Sequence, residues 1–137
     1  MIGNEVAQKI IKSVKELVSE ANEVVRTISP SEAAHALTSD KYVFVDLRDF
    51  RELKREGKIP GSFSCPRGML EFWIDPKSPY HKEVFNQNKT YVFYCASAWR
   101  SALSAKVAQE MGLAPVCHIA GGFTAWKKEI GEVEKVE

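Results

Sequence analysis

The sequence predicts an α/β domain with a mainly parallel sheet. Short apolar segments, rich in β-branched and aromatic residues, alternate along the chain with segments of helical character. The chain has 137 residues, a length that favours one domain burying roughly two-thirds of its surface. In such a sheet, ligands bind beyond the carboxyl ends of the strands. Residues that end a predicted strand are therefore the first candidates for a functional site.

Each element is predicted from local pattern. The predicted strands are short, apolar and bounded by turn or capping residues: 26–28, 41–46, 62–65, 90–94 and 116–119. The clearest helix start is at Ser29, which can cap a helix that begins at Pro30, while Glu32 completes a capping box. The predicted helices are residues 4–26, 29–38, 50–55, 68–74, 81–85, 101–111 and 123–129.

The pattern divides the chain into three parts. We expect residues 1–25 to form an N-terminal amphipathic helix, residues 26–131 the α/β domain, and residues 132–137 a charged tail that frays. The first helix carries an apolar stripe at helical spacing, made of Val6, Ile10, Val14, Leu17, Val18, Ala21 and Val25. This stripe could pack on its own domain or on a second copy in a homodimer, and the sequence leaves both open.

Composition excludes several classes of function. Nineteen Lys and Arg residues against 18 Asp and Glu residues give a formal charge of +1, so no basic field indicates nucleic acid or an anionic membrane. We find neither a signal-peptide pattern nor an apolar run of about 20 residues, the length of a membrane span. Cys65, Cys95 and Cys117 have no metal-binding or disulfide spacing, and the three histidines form no metal or catalytic pattern. We therefore expect a reduced, cytoplasmic protein.

Cys95 is the strongest candidate for a reactive residue. It directly follows the predicted strand 90–94 and shortly precedes a predicted helix. Free amides and roughly half a positive charge at a helix N-terminus stabilise an anion. We therefore expect this thiol to ionise readily, and the thiolate is the nucleophilic form. The alternative is a small buried hydrophobic residue, the usual state of a lone cysteine.

Four motifs extend the pattern around Cys95. In chain order they are Val45-Asp46-Leu47-Arg48-Asp49-Phe50-Arg51-Glu52, Gly57-Lys58-Ile59-Pro60-Gly61-Ser62, the loop from Tyr94-Cys95 to Arg100-Ser101, and Gly121-Gly122-Phe123-Thr124-Ala125-Trp126. Together they resemble the signature motifs of the rhodanese-like domain family over residues 26–131. The resemblance implies a three-layer fold with a five-stranded, mainly parallel sheet flanked by helices. The N-terminal helix is an extension outside it.

The resemblance also implies sulfur transfer without a metal or organic cofactor. Cys95 would take a sulfane sulfur from a small donor such as thiosulfate and become a persulfide. Cyanide, a thiol or a protein cysteine would then accept the sulfur. Another interpretation from a different class is a sulfur-carrier, redox-sensing or docking module with little turnover of its own. In the redox version, Cys65 or Cys117 would resolve an oxidised Cys95.

Roles for the remaining residues follow from the same motifs. The loop that would bind the persulfide consists of Ala96, Ser97, Ala98, Trp99, Arg100 and Ser101. Arg100 could hold an anionic donor or fix the loop, and Ser101 could support it with its hydroxyl. The residues that would brace the loop are Asp46, Arg48 and Glu52, with Arg48 and Glu52 spaced to pair with each other. Arg67 is a candidate contact for the sulfur donor.

Two details of the loop qualify this prediction. The family usually has glycine at the position of Ala98, so a positive φ there would strain the backbone. Four residues separate Cys95 from Arg100, whereas similar phosphatase and arsenate-reductase loops have five. The shorter loop offers one amide fewer than a tetrahedral oxyanion needs. Sulfur transfer is therefore favoured over phosphoryl transfer.

Overall fold

A computed structural model describes residues 7–137 as a five-stranded parallel sheet between helices. The strands are β1 (Arg26–Ile28), β2 (Tyr42–Asp46), β3 (Phe63–Ser64), β4 (Thr90–Tyr94) and β5 (Val116–Ile119). The helices are α1 (Val14–Val24), α2 (Pro30–Leu37), α3 (Phe50–Glu56), α4 (Leu70–Ile74), α5 (Trp99–Met111) and α6 (Gly122–Glu129). Short 3-10 helices cover Arg67–Met69 and Glu83–Phe85. The α/β fold and its five parallel strands are confirmed.

The sheet separates two apolar cores, which makes the domain three-layered. Its strand order is β1-β5-β4-β2-β3. Along β4, Tyr91 and Phe93 face the core beneath α4 and α5, whereas Val92 and Tyr94 face the core beneath α2 and α6. Side chains alternate between the faces of a strand, so a strand covered on both sides is apolar throughout. The continuous apolar run before Cys95 follows from this central position.

The first helix is shorter than the apolar stripe predicts. It begins at Val14, residues 7–13 are not helical, and residues 1–6 lie outside the described residues. Ser13 accepts a hydrogen bond from the Glu16 amide, and the Glu16 carboxylate accepts one from the Ser13 amide. This capping box fixes the helix start. The prediction of a helix from residue 4 is therefore wrong for residues 7–13, because the capping signal overrides the periodicity.

Helix α1 packs on its own domain. Val18 and Ala21 are buried against Ala102 of α5, and Leu103 packs beside them. Gln109, in the last turn of α5, donates a hydrogen bond of 3.1 Å to the Val24 carbonyl. Of the two partners predicted for the stripe, the structure shows the helix's own domain. A homodimer through this helix stays a prediction.

Residues after α6 are held in place rather than frayed. Lys58 and Glu134 exchange backbone hydrogen bonds of 3.0 and 2.8 Å. The Trp126 indole nitrogen donates to the Glu132 carbonyl at 2.7 Å. Gly57 has a φ of 80°, and a side chain there would collide with Val133. The expected fraying is therefore wrong for residues 132–134, because backbone pairing and an indole donor anchor them.

The sheet register places the functional segments at one edge. Asp46 lies opposite both Ser64 and Tyr94, so β2, β3 and β4 end side by side. The segments that follow these strands carry Arg48, Arg67 and Cys95. Among residues 7–137, no helix has the length and apolar character needed to cross a bilayer.

Candidate active site

The loop after β4 makes a sharp turn into α5. Strand β4 ends at Tyr94 and α5 begins at Trp99, so four residues reverse the chain direction. Ala98 has φ 77° and ψ 0°, and within residues 7–137 it is the one non-glycine residue with a positive φ. An alanine in this region carries roughly 1–2 kcal/mol of strain. The positive φ that the resemblance makes a concern at Ala98 is therefore present.

The Cys95 sulfur lies on the inner side of this loop. Its Sγ accepts a hydrogen bond from the Ser101 amide at 3.3 Å, and the residue is 1% exposed. Within the described chain, the amides of residues 96–100 have no protein acceptor. Free amides in a tight turn at a helix N-terminus form an anion-binding concavity. The geometry therefore suits a negatively charged sulfur.

Two backbone amides at the start of α6 hold the loop, and a glycine leaves room for their approach. The Phe123 amide donates to the Cys95 carbonyl at 2.7 Å, and the Thr124 amide donates to the Ala96 carbonyl at 3.1 Å. A Cβ on Gly122 would lie 2.5 Å from the Cys95 oxygen and 2.7 Å from the Ala96 oxygen. Only glycine allows this approach. The N-terminus of α6 thus holds two carbonyl groups of the loop by hydrogen bonds.

Arg100 is bound to Glu52. Its Nη1 and Nη2 atoms donate to the two Glu52 carboxylate oxygens at 2.8 and 3.0 Å. This bidentate hydrogen bonding lowers the pKa of Glu52 to about 2. Glu52 also caps α3 through the Asp49 amide at 3.1 Å. Arg100 therefore fixes the loop to α3, one of the two roles predicted for it.

The predicted pairing of Arg48 with Glu52 is wrong. The Arg48 Nε and Nη2 atoms donate to Asp46 at 3.0 and 2.7 Å, and Nη2 also donates to the Gly57 carbonyl at 2.7 Å. The i,i+4 rule applies within a helix, but α3 begins at Phe50, after Arg48. Both Arg48 and Asp46 are buried, and the guanidinium lies 4.1 Å from the centre of the Phe123 ring. The guanidinium of this ion pair therefore packs against α6 through the Phe123 ring.

His118 is a site residue that the sequence pattern did not single out. Its Nδ1 atom lies 2.8 Å from the Ser101 hydroxyl, while Nε2 lies 2.9 Å from Asn22 Oδ1 and 3.1 Å from Thr27 Oγ1. Burial lowers the pKa of His118 to about 4, so the ring is neutral near pH 7. The available signal was a polar residue within the apolar strand 116–119, which is buried throughout.

The remaining candidates lie near the loop with other contacts. Arg67 lies at the same sheet edge, where its backbone amide donates a hydrogen bond to the Leu47 carbonyl, but its guanidinium pairs with Glu71 at 2.9 Å. Its role as a donor contact stays a prediction. Trp99 is 47% exposed at the start of α5. Cys65 and Cys117 are buried free thiols, and burial raises their pKa values to about 12 and about 11.

Two cavities of about 340 and 430 Å³ lie elsewhere, and neither is lined by a loop residue. Both contact Leu37, Pro60 and Gly61. Among residues 7–137, no cluster of three or more His, Cys, Asp or Glu side chains could hold a metal ion.

Comparison with solved structures agrees with the fold. A Rhodopseudomonas palustris protein of unknown function, described as a possible tyrosine phosphatase, superposes with a TM-score of 0.90 at 52% identity. That match covers 95% of this chain and 100% of the other. A rhodanese-like domain protein from Staphylococcus aureus gives a TM-score of 0.66 at 25% identity, covering 82% of this chain and 100% of the other.

Curated relatives agree with the family model described below. A putative sulfurtransferase of Bacillus subtilis is 28% identical over 106 residues, which are 77% of this chain and 93% of that protein. A mouse thiosulfate sulfurtransferase/rhodanese-like domain-containing protein is 28% identical over 95 residues, 66% of this chain but 60% of that protein. The family model for the rhodanese-like domain matches residues 29–129. Since this match runs from the cap of α2 to the end of α6 and includes the whole Cys95 loop, the chain belongs to the rhodanese-like domain family.

Proposed function

We propose that the protein is a sulfurtransferase that carries sulfane sulfur on Cys95. The observation that supports this most directly is the placement of the Cys95 sulfur against the Ser101 amide, inside a loop whose other amides have no acceptor among the described residues. Such a loop stabilises the negative charge on the outer sulfur of a persulfide, and one preorganised donor contributes on the order of 3 kcal/mol. Family membership and relatives named as sulfurtransferases agree with it.

The reaction takes place in two displacements at sulfur. In the first, the Cys95 thiolate attacks the outer sulfur of thiosulfate, the sulfur–sulfur bond of the donor breaks, and sulfite leaves with the bonding electron pair. In the second, an acceptor thiolate or cyanide attacks the outer sulfur of the persulfide. The bond to Cys95 then breaks, and the Cys95 thiolate is regenerated. Charge is conserved in each step, and the loop amides stabilise the sulfur anion throughout.

Replacement of Cys95 with serine tests the proposal. We expect thiosulfate-to-cyanide transfer to fall by at least about 10³-fold, because the attacking sulfur is removed. The intact mass of Cys95→Ser should also lose the one-sulfur adduct that the wild type shows after thiosulfate and releases to cyanide. Cys65→Ala is the matched control, since Cys65 is a buried thiol outside the loop. Transfer by Cys95→Ser at the wild-type rate would contradict the proposal.

A comparison of thiosulfate with a protein sulfur donor distinguishes an enzyme that turns over free thiosulfate from a sulfur carrier. The low exposure of Cys95 allows a protein that exchanges sulfur with a partner's cysteine but reacts slowly with free thiosulfate. Rapid persulfide exchange with a protein donor, together with negligible thiosulfate turnover, would identify a sulfur carrier. The absence of both activities would contradict sulfur chemistry altogether.

Phosphatase activity is the second candidate, because the Rhodopseudomonas palustris protein, 52% identical, is described as a possible tyrosine phosphatase. Two features oppose it: the loop has four residues between Cys95 and Arg100, and both terminal nitrogens of Arg100 are bound to Glu52. We expect no Cys95-dependent hydrolysis of an aryl phosphate. Hydrolysis that Cys95→Ser abolishes would favour the phosphatase instead.

A further inference from the structure

A chain of hydrogen bonds runs from α1 to the reactive sulfur. Asn22 of α1 places Oδ1 2.9 Å from His118 Nε2, on β5. The other ring nitrogen of His118 lies 2.8 Å from the Ser101 hydroxyl, and the Ser101 amide donates to Cys95 Sγ at 3.3 Å. His118 and Ser101 are fully buried, whereas Asn22 is exposed. The chain therefore connects the protein surface to the floor of the loop.

The acceptors around His118 fix the direction of each bond. A carboxamide oxygen only accepts hydrogen bonds, so Nε2 carries the ring proton and donates to Asn22, with Thr27 Oγ1 as a second acceptor at 3.1 Å. In a neutral ring the Nδ1 atom is then an acceptor, and the Ser101 hydroxyl donates to it. The Ser101 side chain is thereby held away from the sulfur, while its amide is directed toward it.

Apolar packing attaches α1 at the same place. Val18 and Ala21 pack on Ala102, the residue that follows Ser101. The first turn of α5 is therefore held by α1 through an apolar contact and through the polar chain. A change in how α1 sits would move the Ser101 amide, which is the donor recorded on the Cys95 sulfur.

We propose that Asn22, His118 and Ser101 form a hydrogen-bonded chain through which helix α1 positions the amide that holds the Cys95 sulfur. Asn22 and His118 are thus positioning residues, and their effect on sulfur transfer rests on the function proposed above. The N-terminal helix, which lies outside the family match, becomes part of the reactive site in this protein.

The decisive variant removes both acceptors of His118, with Asn22→Leu combined with Thr27→Val. Alkylation of Cys95 by iodoacetamide is measured by mass spectrometry of the Cys95 peptide. We expect the alkylation rate and the rate constant for sulfur transfer each to fall about fivefold. A factor of this size corresponds to the loss of one hydrogen bond. Nitrogen-15 NMR of the imidazole should show the Nε2-protonated form in the wild type and a mixture of tautomers in the variant.

Two further variants separate positioning from simple loosening of α1. Gln109→Leu removes the hydrogen bond to Val24 without touching the chain, so alkylation should stay at the wild-type rate. Asn22→Asp with Thr27→Val restores one acceptor and should recover most of the rate at pH 8. Thermal unfolding of each variant confirms that folded protein is compared.

Specific outcomes would overturn the inference. Alkylation of the double variant within about twofold of the wild type, an equal loss in Gln109→Leu, or an Nδ1-protonated ring in the wild type would each do so. The tautomer and the alkylation rate do not depend on any sulfur donor. If the wild type transfers no sulfur while both readouts behave as expected, only the proposed function fails.

Discussion

Ala98 shows how one residue shapes the Cys95 loop. Its left-handed conformation lets the chain turn from β4 into α5 within four residues, and glycine would adopt it without strain. The sequence alone could not reveal this φ. The prediction came from the glycine that the family usually has at this position.

Replacement of Ala98 with glycine should stabilise the protein by about 0.5–1 kcal/mol. The strain removed is roughly 1–2 kcal/mol, and the added flexibility of the unfolded chain offsets roughly 0.5–1 kcal/mol of that gain. Urea unfolding measures the change. Ala34→Gly, in the regular helix α2, is the control and should destabilise by about 1 kcal/mol. A similar loss in Ala98→Gly would contradict the strain.

At the scale of elements, the loop is attached to its neighbours by different kinds of bond. Helix α3 holds it through the Glu52–Arg100 pair, whereas α6 holds it through two backbone amides. Both attachments join residues far apart in sequence, since Arg100 follows Glu52 by 48 positions. Such pairs depend on strand order, which local pattern does not contain. For this reason the family resemblance indicated that Glu52 braces the loop, but the four-residue spacing paired it with Arg48 and not with Arg100.

Replacement of Glu52 with glutamine should lower the sulfur-transfer rate by about tenfold and the free energy of unfolding by about 1 kcal/mol. The neutral side chain keeps one acceptor but loses the charge-assisted bidentate pair, and partial exposure of Arg100 limits the loss. Enzyme kinetics and urea unfolding measure both effects.

The control for this variant is Glu71→Gln, which breaks a partly exposed ion pair with Arg67. Among the described residues, the side chains of this pair make no hydrogen bond to the Cys95 loop. It should reduce stability by about 0.3–0.5 kcal/mol and leave alkylation of Cys95 unchanged.

Because the folded pKa of Glu52 is about 2, the contribution of the Glu52–Arg100 pair to stability is complete above about pH 4.5 and is lost as the pH falls toward 2. If Glu52→Gln transfers sulfur at the wild-type rate, the Glu52–Arg100 pair is not needed for sulfur transfer.

At the scale of the whole molecule, stability should depend on His118. Its pKa is about 4 in the folded protein and about 6.5 in the unfolded chain, so the unfolded chain binds the extra proton first. Stability from the neutral ring is complete above about pH 6.5 and is lost as the pH falls to about 4, by up to roughly 3 kcal/mol.

Urea unfolding at several pH values measures this effect. Between pH values of about 6.5 and 4.5, above the range in which Glu52 titrates, the free energy of unfolding should fall with pH in the wild type. It should fall much less in His118→Gln. His35→Gln, at an exposed position of α2, should keep the wild-type slope. Parallel slopes in the wild type and His118→Gln would contradict the assignment.

The architecture was more predictable than the connections within it. All five strands were predicted within a residue of their bounds. For the central strands β5, β4 and β2, the reason is that parallel strands covered on both faces are apolar on both faces. The start of α1 was missed although Ser13 and Glu16 supply a capping box, since Ile10 continues the apolar spacing. Contacts of residues 132–134 and of His118 are tertiary, and no local pattern indicates them.

The two hydrogen bonds from α6 to the Cys95 and Ala96 carbonyls have a consequence for substitutions within the loop. Because Phe123 and Thr124 grip carbonyl oxygens rather than side chains, the curvature near the sulfur is maintained by backbone atoms. The exposed side chains of Ser97 and Trp99 are therefore not needed to hold the turn. Substitutions at these two positions can alter which molecules approach the thiol while the turn itself persists, so reagent preference can diverge without rebuilding the fold.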